Sequence, residues 1–169
     1  MRWWIFLLVT VGAWAVGHLG VSSLGFRSGD PIPPLATADG ADQSPSLAWS
    51  APPAGAKSLA IVCMDPDAPS GAFCHWIAYN LPARLRSLPA GVPREEVPAI
   101  LQGGRQGTND FGKPGYDGPA PPPGAVHHYH FTVMALNASL PPLHSHAEFE
   151  HAVSGHVLAQ GELIGTYKR

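Results

Sequence analysis

Unbroken apolar runs and two-residue alternation dominate the pattern of hydrophobic positions along the chain. KSLAIVCM at 57–64 is a continuous apolar run of strand length. CHWIAYNLP at 74–82 and HHYHFTVMAL at 127–136 alternate between two faces, which indicates strands. SPSLAWSAPP at 44–53 predicts a short strand between prolines, and ELIGTY at 162–167 predicts a closing strand. The pattern therefore predicts a mostly β protein.

One segment near the C-terminus has the features of a helix. It spans residues 145–160, opens with the capping-box sequence Ser145-x-x-Glu148, and carries an apolar face that includes Phe149. Gly155 interrupts this segment. Because glycine disfavours a helix interior, we expect two short helices here rather than one.

Stretches rich in glycine and proline separate the predicted strands. The 169 residues include 19 glycines and 19 prolines, and only 13% are charged, which suits short strands joined by turns and excludes a helical bundle. Residues 103–126 are mostly Gly, Pro, Asn and Asp, but Phe111 and Tyr116 within them predict an ordered loop packed on the body. The tract GPAPPPG at 118–124 is expected to form a stiff wall.

Size and charge narrow the class of protein further. A chain of this length suits one domain with its own core. Ten Lys and Arg residues against twelve Asp and Glu residues, without a basic run, exclude a nucleic-acid-binding surface.

The first twenty residues, MRWWIFLLVTVGAWAVGHLG, differ in kind from the rest. Arg2 precedes an apolar stretch at 3–11, and Ala13-Trp14-Ala15 is a cleavage-site sequence, so residues 1–20 are predicted to be a signal peptide cleaved near Ala15. The protein is then periplasmic or secreted, with a single domain over 21–169. The alternative is an uncleaved N-terminal anchor, although the apolar stretch is shorter than the roughly 20 residues that span a membrane.

Two cysteines in an exported chain raise the question of a disulfide. If Asp65 and His75 share a face of the sheet, two-residue alternation places Cys63 on that face and Cys74 on the other. We therefore expect two separate thiols.

Two carboxylates follow the clearest strand in IVCMDPDAPSG at 61–71. The D-x-D spacing of Asp65 and Asp67 matches the haloacid-dehalogenase phosphatase motif, but that fold continues into repeated strand–helix units. Here prolines interleave the aspartates, and the next strand follows within about ten residues, which argues against a phosphatase. An acidic turn, in which the carboxylates bond their own backbone, stays open.

Histidines form a second group of candidate residues. His128 and His130 have the His-x-His spacing of some zinc sites, but no acidic or cysteine ligand lies beside them in the sequence, so we predict no metal site. We expect these two, with His144 and His146, to be exposed and unpaired. The sequence has no G-x-S-x-G motif and nothing that fixes a catalytic triad, which predicts a protein without a catalytic role.

In this order, the segments resemble the phosphatidylethanolamine-binding protein family, specifically its bacterial, Raf-kinase-inhibitor-like branch. The conjunction of DPDAP, an HW strand, a Gly-Pro loop and H-x-Y is specific, whereas each motif alone is weak. The matching segments are SPSLAWS (44–50), DPDAPSG (65–71), HWIAYNLP (75–82), GTNDFGKPGYDGPAPPPG (107–124), HHYHFTVMAL (127–136) and GHVLAQGELIGTY (155–167).

The resemblance implies a fold and a site. The fold is a central antiparallel sheet packed on a smaller second sheet, with short helices near the C-terminus. The site is a pocket at one end of the sheet that binds phosphate-type anions or phospholipid head groups without a cofactor. Its implied residues are Asp65, His75, Pro121, Pro122, His127 and Tyr129, with Asp67 bracing the turn through neighbouring backbone N–H groups.

The chemistry of such a pocket leaves two roles open for Asp65. The imidazoles of His75 and His127 and the Tyr129 hydroxyl can donate to a phosphate oxygen. Asp65 either orients a histidine and favours its charged form, or accepts from the ammonium of an ethanolamine-type head group. The resemblance also implies an alternative function, an inhibitory module that binds a kinase or protease through the pocket and its loops.

Overall fold

Two β-sheets form the frame of the molecule. The structure, a computed structural model, describes residues 15–169, so most of the predicted signal peptide lies outside the described residues. In chain order the elements are β1 (Gly17–His18), β2 (Val21–Ser22), β3 (Leu47–Trp49), β4 (Ser58–Asp65), β5 (Phe73–Pro82), β6 (Ser87–Leu88), β7 (Arg105–Gln106), β8 (His127–Leu136), α1 (His146–Val153) and β9 (Val157–Tyr167). Short 3-10 turns span Pro34–Ala36 and Ala99–Leu101.

The large sheet has the strand order β1-β9-β8-β4-β5-β7, and the small sheet has the order β2-β3-β6. All pairs are antiparallel except β1 with β9, which are parallel. The prediction of a mostly β fold, with a central sheet and a smaller second sheet, is confirmed. The strands predicted at 57–64, 74–82 and 127–136 agree with β4, β5 and β8 within one residue at each end.

The large sheet is covered on both faces. One face and the small sheet enclose a core that includes Trp49, Trp76 and Phe131. The other face packs against α1 through Phe149 and Val153. Because β4 lies inside the sheet between these two cores, its sequence is apolar at successive positions rather than alternating. No helix in residues 15–169 is long and apolar enough to cross a membrane.

The two cysteines lie in different cores, as predicted. Cys63 belongs to the core between the sheets and Cys74 to the core beneath α1, and both are buried free thiols. Burial raises the pKa of both thiols, that of Cys74 to about 12. Neither thiol is therefore disposed to ionise or to react.

The C-terminal region contains one helix, so the prediction of two is wrong. The Ser145 hydroxyl caps α1 by accepting from the Glu148 N–H, but the helix ends at Val153. Gly155 follows with a φ of 76°, and β9 already begins at Val157. A left-handed glycine turn thus carries the chain directly from helix to strand.

The first half of β9 does not show a strand pattern in the sequence, because another segment of the chain packs closely over it and requires small residues. Its inward positions are the small residues Ala159 and Gly161, which weaken the apolar alternation expected of a strand. A Cβ atom at Gly161 would lie 1.8 Å from the carbonyl oxygen of Leu19. Glycine is required here because the segment after β1 crosses directly over the strand.

Candidate functional site

A pocket of about 200 Å³ opens at the end of the large sheet where β4 ends and β5 and β8 begin. It is smaller than the roughly 300–1,000 Å³ typical of drug-sized ligands. Its lining consists of Asp65, Ala68, Pro69, Ser70, Phe73, His75, Phe111, Ala120, Pro121, Pro122, His127 and Tyr129. The structure therefore brings together all six residues that the family resemblance implied for a pocket.

A bulge in the sheet positions His75. The pairing of β4 with β5 shifts register between Cys63, which lies opposite Trp76, and Met64, which lies opposite Cys74. His75 is the extra residue between these two pairs. Bulges of this kind re-aim a side chain and are common beside functional sites.

Asp65 and His127 form a buried pair at the floor of the pocket. The Nδ1 atom of His127 donates to Oδ2 of Asp65 at 2.8 Å, and the Asp67 N–H donates to Oδ1 of Asp65 at 2.9 Å. Both carboxylate oxygens are therefore already bonded. This geometry favours the role in which Asp65 orients a histidine over the role in which it accepts from a ligand ammonium. It also leaves Nε2 of His127 for a ligand.

His75 is held by the backbone of the Gly-Pro loop. Its Nδ1 atom lies 2.7 Å from the Asp117 carbonyl oxygen and donates to it. Burial lowers the pKa of His75, so the ring is neutral at neutral pH. The second nitrogen, Nε2, then carries a lone pair. His75 consequently presents an acceptor to the pocket, whereas the sequence suggested a donor.

The hydroxyl of Tyr129 is the incompletely bonded group of the site. It is buried and has no hydrogen-bond partner among residues 15–169. Burial, and second the charge of the neighbouring Asp65 carboxylate, raise the pKa of Tyr129, so the hydroxyl keeps its proton and remains a donor. Asp65 lies close enough to attract this O–H, but the two groups do not meet the geometry of a hydrogen bond. Buried polar groups are usually bonded, so a donor left without a partner in a pocket indicates a place for a ligand oxygen.

A braced loop forms the rim that contains Pro121 and Pro122. The side-chain amide of Asn109 donates to the Asp117 carboxylate at 2.7 Å, and the Asp117 N–H donates to the His75 carbonyl at 3.0 Å. Tyr116 is buried within the same loop. The prediction of an ordered loop packed on the body is confirmed.

Two aromatic residues that line the pocket were not predicted as site residues from the sequence. The rings of Phe73 and Phe111 meet edge to face, with centroids 4.9 Å apart, and both also contact the His75 ring. Phe73 lies two residues before His75, a spacing that could have placed it at the same wall. Phe111 lies in a glycine-rich loop, where spacing gives no facing direction.

Asp67 and His128 lie outside the pocket and brace it. The Asp67 carboxylate accepts from the backbone N–H of His128 at 2.9 Å and from its ring Nδ1 at 2.8 Å. These bonds lower the pKa of Asp67. They tie the DPDAP turn to β8, with one backbone N–H among the donors as the resemblance implied. The bond to the turn's own backbone is made by Asp65, which accepts from the Asp67 N–H.

The expectation of unpaired surface histidines is wrong for three residues. His128 pairs with Asp67 at 2.8 Å, and His130 pairs with Glu162 at 3.0 Å. His146 lies 3.4 Å from Glu150. The carboxylate partners come from other parts of the chain or one helical turn away, so they are not adjacent in sequence. The described part of the chain contains no group of three or more histidine, cysteine or acidic side chains arranged to hold a metal ion.

Comparisons with known proteins agree with this architecture. The family model for phosphatidylethanolamine-binding protein matches residues 22–168. A UPF0098 protein of Aquifex aeolicus is 44% identical over 153 residues, covering 88% of each chain. The crystal structure of Escherichia coli YbcL is similar with a TM-score of 0.84 and 32% identity, covering 90% of this chain and 99% of YbcL. A Chlamydia trachomatis homologue has a TM-score of 0.79 and 34% identity over the same shares. The chain therefore belongs to the phosphatidylethanolamine-binding protein family.

Proposed function

We propose that this protein binds a phosphoryl group in the pocket, either as a free phosphate-type anion or as part of a phospholipid head group, and does not catalyse its conversion. The unpartnered Tyr129 hydroxyl carries the proposal, because a buried donor without a partner is stabilised when a ligand oxygen accepts from it.

The arrangement of donors and acceptors fits a phosphoryl group that retains one proton. Tyr129 donates to one oxygen, and Nε2 of His127 donates to a second when Asp65 supports the charged imidazole. In a free phosphate that retains a proton, the neutral His75 ring accepts from the P–OH group. A phosphodiester head group has no such hydroxyl, so there His75 can accept only from the ammonium group of the head group. Phe73 and Phe111 line the apolar part of the site.

The potential nucleophiles have no activating partner, which supports a binding role. Ser70 lines the pocket, yet its hydroxyl has no hydrogen bond to a histidine in the described residues. Cys63 and Cys74 are buried with raised pKa values, and neither lines the pocket. Nucleophilic catalysis normally requires a base within hydrogen-bond reach of the nucleophile.

The test is an NMR titration of the purified protein with inorganic phosphate at millimolar concentration. We expect the ring signals of His75 and His127 to shift in a saturable way. His127→Gln should weaken binding by about ten-fold or more, because it removes a charge-assisted donor. His130→Gln is the matched control, since His130 lies on the same strand and also pairs with a carboxylate, but faces away from the pocket.

Parallel titrations distinguish the two sources of the phosphoryl group. Tighter binding of glycerophosphoethanolamine than of inorganic phosphate indicates a lipid head group, and the reverse indicates a free anion. If neither ligand shifts the two histidines, or if both variants weaken binding equally, phosphoryl binding in this pocket is ruled out.

The inhibitory module is the second candidate function. Phe111 favours it, because this ring lines the pocket and is 46% exposed at its mouth, where it could contact a partner kinase or protease.

We also propose export with cleavage near Ala15, which would leave β1 in the mature chain. N-terminal sequencing tests it, and an intact Met1 would contradict it.

A further inference from the structure

A charged cluster lies beside the proline rim of the pocket. The Asp39 carboxylate accepts from Nε and Nη2 of Arg169 at 2.8 and 2.6 Å, and from the Tyr167 hydroxyl at 2.7 Å. These bonds, chiefly those from Arg169 and then that from Tyr167, lower the pKa of Asp39 to about 2. Asp39 is therefore charged at any physiological pH and holds the guanidinium in a two-point contact.

Three connections link this cluster to the pocket. Nη1 of Arg169 donates to the carbonyl of Ala120, which lines the pocket, at 3.3 Å. Tyr167 lies opposite His127 in the pairing of β8 with β9. The positive charge of Arg169 also opposes the rise in the pKa of Tyr129, so the guanidinium lies within electrostatic reach of the pocket hydroxyl.

No other described cation is placed in this way. Among the Lys and Arg side chains of residues 15–169, only Arg169 has a hydrogen bond to a residue of the pocket lining. Inside the pocket, the His127 ring is already paired through Nδ1 with the Asp65 carboxylate, at 2.8 Å. A phosphoryl group therefore lacks an arginine contact unless Arg169 supplies one. The Arg169 side chain is about one-third exposed, so its guanidinium is in contact with solvent.

We propose that Arg169 is a specificity-determining rim residue that donates to the bound phosphoryl group, and that Asp39 competes with the ligand for its guanidinium. The inference rests on the proposed function and names a residue outside the pocket lining. A guanidinium matches two oxygens of a phosphoryl group as well as it matches a carboxylate, so one partner can replace the other.

A purely structural role makes a different prediction. If Arg169 only ties the rim to the segment that contains Asp39, removal of either Arg169 or Asp39 loosens the same contact. Phosphate binding then changes in the same direction in both variants. If Asp39 and the ligand compete, removal of the two partners has opposite effects. The sign of the effect separates these two roles. The double variant then separates direct contact from long-range charge, because long-range effects of the two substitutions would cancel in it.

The experiment compares phosphate affinity in three variants by the same NMR titration. Asp39→Asn keeps an acceptor for Tyr167 but releases the charge of Arg169, so affinity should rise about two- to five-fold. Arg169→Gln should lower affinity by a similar factor, and the double variant should match Arg169→Gln. Added salt should reduce the gain from Asp39→Asn, because the contact is exposed.

Arg105→Gln is the control, since Arg105 also pairs with an exposed carboxylate, that of Glu96, but does not line the pocket. Its affinity should equal that of the wild type. If the wild type binds phosphate but Asp39→Asn fails to bind more tightly, or Arg169→Gln binds as well as the wild type, the role of Arg169 is refuted and the pocket remains. If the wild type itself does not bind, both proposals fail together.

Discussion

At the scale of single residues, the pocket is defined by how each polar atom is satisfied. Asp65 has both oxygens bonded, and His127 and His75 each have one ring nitrogen bonded. The Tyr129 hydroxyl has no protein partner among the described residues. The pocket therefore concentrates its unused hydrogen-bonding capacity at a few adjacent atoms, which suits it to binding a small polar group.

Substituting Tyr129→Phe should separate stability from binding. An unpaired buried hydroxyl costs about 1–3 kcal/mol, so its removal should leave the free energy of unfolding unchanged or raise it by about 1 kcal/mol. Phosphate affinity should fall about ten-fold, because the donor to a charged ligand is lost. Urea unfolding and the phosphate titration measure the two effects. A clear loss of stability would mean that the hydroxyl is bonded within the folded protein.

The lowered pKa of His75 makes stability depend on pH. The unfolded chain takes up this proton near its ordinary pKa of 6.5, before the folded protein does. The contribution of His75 is therefore fully present above pH 6.5 and is lost as the pH falls from there through the folded pKa. We expect an NMR titration midpoint for His75 below 6.5, and a flatter decline of stability between about pH 7 and 5 in His75→Gln. A midpoint at or above 6.5 would contradict this account.

At the scale of elements, the rim depends on a close approach between two loops. A Cβ atom at Gly118 would lie 2.8 Å from the Ala36 carbonyl oxygen and from backbone atoms of Thr37 and Ala38. The Gly118 N–H also donates to the Asp42 carboxylate at 2.7 Å. The loop that carries the prolines is therefore seated on the segment that leads into Asp39.

We expect Gly118→Ala to displace this loop. It should lower the free energy of unfolding by about 1–3 kcal/mol through overpacking, and weaken phosphate binding because the rim shifts. Gly20→Ala is the matched control, since a Cβ there meets only the Ser50 hydroxyl, at 4.0 Å. Chemical denaturation and the phosphate titration give both readouts. Equal stability of Gly118→Ala and the wild type would show that the two loops tolerate separation.

The sequence predicted elements well where burial imposes a pattern. Central strands such as β4 and β8 carry apolar runs or alternation over eight or more residues, and their bounds followed closely. The two-residue strands and the start of β9 could not be predicted, because too few apolar side chains mark them.

For the site, the sequence placed His75 and His127 in one pocket through a family resemblance. The hydrogen bond from the His75 ring to the Asp117 carbonyl could not be predicted from the sequence. Every residue has a backbone carbonyl, and the path of the loop determines which carbonyl lies beside the ring.

At the scale of the whole molecule, the two faces of the large sheet have different roles: each covers its own core, and the pocket lies at the end of one of them. The face beneath α1 is an apolar core built from residues such as Ile77 and Phe149. The face toward the small sheet holds the other core, and at its end the pocket and its rim. The site therefore sits where strand ends and loops meet, at the margin of a rigid support.

The pairing of β1 with β9 has a consequence for the timing of folding. Gly17 and His18 lie beside Ala159 and Gln160, so the large sheet joins an early segment of the chain to its last strand. A ribosome makes the other strands of both sheets between these two partners. The edge of the sheet must wait until β9 has emerged, and pairing over such a sequence separation is intrinsically slow. During synthesis, the β1 segment thus remains without its strand partner until β9 has been made.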